Sequence, residues 1–163
     1  MISNVKKILA PIDFSELSME AMRGAMELAK DVGAEVHLMH VIAPHHTLVP
    51  LPLATNAEQS RELVREAAML EQAEEELKRI KKDEFGDSKK VTTFAEVGNP
   101  VQKLIDYAKR NEIDLIMLAT HGRTGAEHIL IGSVAEKIVR NAPCSVLIFR
   151  RRKPAATKAA TAS

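Results

Sequence analysis

The sequence predicts a single α/β domain built on an open parallel sheet with helices on both faces. Three observations predict it. Strand-like and helix-like patterns alternate from one end of the chain to the other. The strand-like segments are near-continuous apolar runs, as expected of strands buried on both faces. The residues that carry chemistry follow directly on strand ends, where sheets of this kind hold their ligands. A chain of 163 residues suits one domain with a sizeable core.

Val5 to Ile12 reads as the first strand. Leu17, Ala21, Ala25, Leu28 and Val32 then recur at spacings of three and four, one face of a helix, and Gly33 supplies its stop. Val36 to Ile42 is the second strand. Pro44, Pro50 and Pro52 keep the following loop from being helical throughout. Glu58 to Lys82 is charged, with Leu63, Leu70 and Leu77 seven apart. Under four heptads is short for a coiled coil, so a long amphipathic surface helix is expected, closed by Gly86. Val91 to Val97 is the third strand. Asn99-Pro100 starts the next helix as cap and first-turn proline, and Val101, Leu104, Ile105 and Ala108 form its apolar face. Leu115 to Ala119 is the fourth strand. Ser133 to Asn141 is the last helix, with Ser133 and Glu136 spaced as a capping box. Ser145 to Phe149 is the fifth strand. The domain is expected over residues 1–150, with the small, polar, basic stretch 151–163 a disordered tail.

Composition excludes several classes. Lys and Arg total 23 against 22 Asp and Glu, so no basic excess points to nucleic acid or an anionic membrane. Four Phe, one Tyr and no Trp are too few for a base-stacking surface. No apolar run reaches the roughly 20 residues of a membrane span. A single cysteine, Cys144, cannot form an internal disulfide, which fits a reducing cytoplasm. It sits between Pro143 and an apolar strand and reads as a structural thiol. There is no G-x-x-x-x-G-K-[ST], no G-x-G-x-x-G after the first strand and no G-x-S-x-G. His37 and His40 lie three apart on a strand and point to opposite faces, which disfavours a metal site. His45 and His46 form at most a weak one.

The chemistry concentrates after strands one and four. Thr120, His121, Gly122, Arg123, Thr124 and Gly125 combine small residues, hydrogen-bond donors and a permanent cation. Glycines let a main chain approach a ligand, and N–H groups of such turns hold anions. Gly132-Ser133 then opens a helix whose N-terminus favours negative charge. A phosphate cradle and an ordinary tight turn before a capped helix both fit. Asp13, after the first strand, suits hydrogen bonds to ribose or adenine, a metal ligand, or helix capping with Ser15. Pro11 fixes the chain's exit. His121 has no carboxylate partner near it in sequence, so a catalytic base is not evident.

These residues resemble the universal stress protein family. The resemblance runs from Ala10-Pro11-Ile12-Asp13 and Ser15 through Ala119–Phe149 and covers the chain to about Arg150. Its ATP-binding members carry G-x2-G-x9-G-[ST]. Here Gly122, nine intervening residues, Gly132 and Ser133 match, while Ala119 stands where the first glycine belongs. Alanine there is tolerable at an ordinary φ and costly at a positive one. The resemblance implies a Rossmann-like sheet in strand order 3-2-1-4-5, and a cytoplasmic protein that binds adenine nucleotide. By matching positions Pro11, Ile12, Asp13 and Val41 would line the adenine and ribose. Ala119, Thr120, His121, Gly122, Arg123 and Gly125 would wrap ribose and phosphates, and Gly132, Ser133 and Val134 would hold the phosphate tail. ATP, AMP or ADP would be the ligand, with Mg2+ or Mn2+ bridging phosphates. It implies, too, a homodimer, for which the apolar edge strand 145–149 gives a physical reason. With no positioned base evident, at most weak ATP hydrolysis or autophosphorylation near Ser133 is expected, and the protein partners are unknown. The alternatives are a nucleotide-free interaction module of the same fold and an ATP-pyrophosphate transferase. The latter lacks its glycine-rich loop here, because Asp13-Phe14-Ser15-Glu16 has no glycine.

Overall fold

A computed structural model of the chain describes residues 4–44, 56–120 and 132–150. Five parallel strands, β1 (Lys7–Pro11), β2 (Glu35–Ile42), β3 (Val91–Val97), β4 (Leu115–Ala119) and β5 (Ser145–Phe149), pair in the order β3-β2-β1-β4-β5. That is the expected α/β class and order. Helices α1 (Glu16–Val32), α2 (Asn56–Phe85), α3 (Pro100–Arg110) and α4 (Ser133–Asn141) make the crossovers. Strand side chains alternate between two cores. Ile8, Ala10, Val36, Leu38, Leu115 and Met117 meet α1 and α2, while Leu9, Met39, Ile116 and Leu118 meet α3 and α4.

Each helix follows from its local sequence, with differences from the pattern reading. The Ser15 side chain caps α1 by accepting the Ser18 N–H, and Gly33 ends it at φ 76°, a left-handed conformation that glycine adopts without a Cβ penalty. The buried stripe of α1 is Ser18, Ala21, Met22, Ala25, Met26 and Ala29. Leu17, Leu28 and Val32 flank that stripe, because small alanines let the helix axis come close to the sheet. In α2 only Ala73, Leu77 and Ile80 are buried, and Leu63 is 66% exposed. The leucine repeat therefore forms no continuous seam. Asn99 caps α3 with Pro100 in its first turn. The expected capping box of α4 is absent: Gly132 is the N-cap, with no side-chain cap hydrogen bond. Ser133 is the first helical residue, and Glu136 pairs with Arg140 one turn on.

At the other end of the sheet Asp114 fastens β1 beside β4, accepting the N–H groups of Lys6 and Lys7 at 2.8 and 2.9 Å. The opposite, carboxyl end holds Asp13, Thr120 and the start of α4.

Candidate functional site

Connections from β1 and β4 leave on opposite faces of the sheet, into α1 and α4, although the two strands are neighbours. The crevice beyond their carboxyl ends is thus a topological switch point. Pro11 ends β1, Ile12 is buried beyond it, and Asp13 is half-buried at the rim. The Asp13 carboxylate accepts the Ser15 N–H at 3.0 Å and the Ser15 hydroxyl, and its own N–H donates to Ser18 Oγ at 3.3 Å. Asp13 thus takes part in the cap of α1 while standing at the crevice. Phe14 between them has φ 64°, a strained turn conformation for a non-glycine residue.

Across the crevice, β4 ends in Ala119, and Thr120 is buried just past it. The Thr120 N–H donates to the Phe149 carbonyl at 3.0 Å, and the Thr120 carbonyl accepts the Gly132 N–H at 2.6 Å. This second bond holds the start of α4 against the end of β4. Gly132 makes no side-chain cap hydrogen bond, so among the described residues the first-turn N–H groups of α4 have no side-chain cap, and the helix start carries a partial positive charge. Ser133 and Val134 lie exposed in that turn. Ala119 is an ordinary strand residue; among the described residues Phe14 and Glu112 are the non-glycine residues with positive φ. The position where the motif prefers glycine needs no glycine conformation here. His121, Gly122, Arg123 and Gly125 fall outside the described residues, as do His45, His46 and the tail.

Val41 is half-buried near the end of β2, beside β1. The histidines before it separate as expected. His37 Nδ1 shares a 2.8 Å hydrogen bond with the Tyr107 hydroxyl on the α3 side, and His40 Nδ1 donates to the Ile12 carbonyl at 2.7 Å on the α1 side. Burial holds the His37 pKa below its ordinary value and pushes the Tyr107 hydroxyl well above its own. Burial likewise raises the Cys144 thiol, so it is no poised nucleophile. No cluster of three metal-ligating side chains occurs among the described residues. Nor, among them, is any helix long and apolar enough to cross a membrane. Sequence reading missed Ser18, the strained Phe14 and the Thr120–Gly132 closure. His40 was legible only as a failed metal ligand, although its place next to Val41 was a usable signal.

The fold is a doubly wound α/β domain with its topological switch point between β1 and β4. The chain belongs to the universal stress protein family, whose model matches residues 4–150. It is 39% identical over 150 residues to universal stress protein MJ0531 of Methanocaldococcus jannaschii, covering 91% of this chain and 84% of that one. The solved structure of MJ0577 from the same organism superposes with a TM-score of 0.77 at 28% identity, over 92% of this chain and 99% of the other. Universal stress protein UspA of Lactobacillus plantarum gives 0.69 at 26%, over 90% and 98%.

Proposed function

We propose that this protein binds an adenine nucleotide, ATP or its products AMP and ADP, in the crevice between β1 and β4. It acts as a cytoplasmic stress-response regulator rather than as a rapid enzyme. The observation that carries this is the start of α4, which has no N-cap side-chain hydrogen bond and is fastened by the Thr120–Gly132 hydrogen bond to the end of β4, paired beside β1, the strand that leads to Asp13. Anion-binding N–H groups at that helix start would then lie across the switch point from a carboxylate suited to hydroxyl or amino donors. The Gly122-x9-Gly132-Ser133 spacing supports the same reading.

Pro11, Ile12, Asp13 and the Val41 main chain would hold the nucleoside. Ala119, Thr120, His121, Gly122, Arg123 and Gly125 would wrap ribose and phosphates, and Gly132, Ser133 and Val134 the phosphate tail. Mg2+ or Mn2+, if it accompanies the nucleotide, would be held mainly by phosphates and water. Turnover of the bound nucleotide would be slow at most. The active form would be a homodimer through β5.

Titration calorimetry with ATP tests this. The wild-type protein should bind. Asp13→Ala should bind about tenfold to a hundredfold more weakly, the worth of a charge-assisted hydrogen bond. Gly132→Val should weaken binding by crowding the helix start. Absence of binding of ATP, ADP and AMP by the wild type would overturn the reading and leave a nucleotide-free interaction module of the same fold.

A further inference from the structure

We infer that His40 is a positioning residue of this crevice: its imidazole takes the Ile12 carbonyl and so leaves the Val41 main chain directed at the ligand. The inference rests on the nucleotide reading above.

The sheet's own geometry leads here. The Ile12 N–H donates to the Met39 carbonyl at 2.9 Å, one last bond of the β1–β2 ladder. In a parallel ladder the groups of alternate residues point to the same neighbour. Met39 points its carbonyl at β1, so Val41 points its N–H and carbonyl the same way. A continued ladder would give the Ile12 carbonyl to the Val41 N–H. It goes to His40 Nδ1 instead, at 2.7 Å. A carbonyl only accepts, so Nδ1 carries the proton. The ladder stops at this substitution. β2 runs on to Ile42 while β1 has ended at Pro11, and Val41 faces the space beyond β1.

The imidazole also supports the turn that presents Asp13. His40 is 8% exposed, and the Phe14 ring lies on it with centroids 4.4 Å apart. Phe14 holds its positive φ with its ring seated there. Ile12 is thus fixed at its carbonyl by His40, Asp13 at its N–H by Ser18, and Phe14 by contact with the imidazole. His40 therefore governs both walls of the nucleoside end, the Asp13 turn and the Val41 main chain, without touching the ligand.

Two isosteres and a control test this on the full chain. Asparagine places its amide nitrogen where Nδ1 sits; glutamine places it one atom further, where Nε2 sits. ATP affinity and melting temperature are measured for wild type, His40→Asn, His40→Gln and His37→Gln. His37 is equally buried on the opposite face, bonded to Tyr107. The expected result is affinity near wild type in His40→Asn and a loss of about tenfold or more in His40→Gln, the scale of a misplaced hydrogen-bond partner. His37→Gln should lower the melting temperature with ATP affinity unchanged. ATP binding as tight in folded His40→Gln as in wild type overturns the inference and leaves the nucleotide reading standing. So does an equal loss in His37→Gln, which would mean general destabilisation. A wild type that binds no adenine nucleotide overturns both.

Discussion

His37 shows how a buried polar residue sets conditions for stability. Desolvation lowers its folded-state pKa below the ordinary 6.5. The unfolded chain then binds more protons in the window just under that value. Stability is complete above about pH 6.5 and is lost as pH falls toward the folded-state value. Melting temperatures from pH 8 to 5 should show this decline, and His37→Gln should flatten it. Cys144 gives a second check. Its raised pKa keeps the thiol protonated, so alkylation by iodoacetamide at pH 8 should be much slower in the native protein than in denaturant. At this scale the sequence was only partly legible. It separated His37 from His40 by the two-residue period of a strand, and it put Asp13 and Ser15 in one cap. It had no means of showing which distant group each histidine meets, because Tyr107 is 70 positions from His37 and Ile12 is 28 from His40.

The helices differ in how far their own residues decide them. Asn99 and Ser15 each make the cap that their identities suggest, and Asn99→Ala should cost about 1 kcal/mol in chemical denaturation. Ser133→Ala should cost almost nothing in the same experiment, because Ser133 caps nothing. The spacing of Ser133 and Glu136 matches a capping box, yet the helix starts at Ser133 itself with Gly132 as its N-cap, so Ser133 is already helical and cannot cap, while the Gly132 N–H is taken by the Thr120 carbonyl. Along α2 the apolar repeat is likewise an unreliable guide to packing. Leu77 is fully buried against the sheet, so Leu77→Ala should cost about 2–5 kcal/mol. Leu63 belongs to the same repeat but is largely exposed, and Leu63→Ala should leave the denaturation midpoint within error. Sequence periodicity locates a helix and its stripe; how much of the stripe finds a partner depends on where the sheet stops.

Among the described residues the sheet has two edges without a further strand, β3 and β5, and they are unlike. The β3 edge carries Glu96, tied to Lys103 and Arg110, and follows Lys89 and Lys90. Charges of this kind discourage pairing with another strand. The β5 edge, SVLIF, has no charge and leaves Leu147 37% exposed. If two copies join there, Leu147→Lys should convert the dimer to a monomer in light scattering while the fold persists; an unchanged mass would exclude this edge. The α/β class was legible in the alternation of patterns. Strand order came from likeness to a family, because periodicity says which residues are buried but not which strands are neighbours.

The hydrogen bond between Thr120 and Gly132 has a consequence for how the segment 121–131 can change. With both ends held by the folded domain, the entropy of bringing them together is met by folding itself. Lengthening a flexible chain segment between two fixed anchors costs only about 0.6 kcal/mol for each doubling. The residues between these two anchors can therefore change at little cost in stability to the sheet and helices that hold the anchors in place.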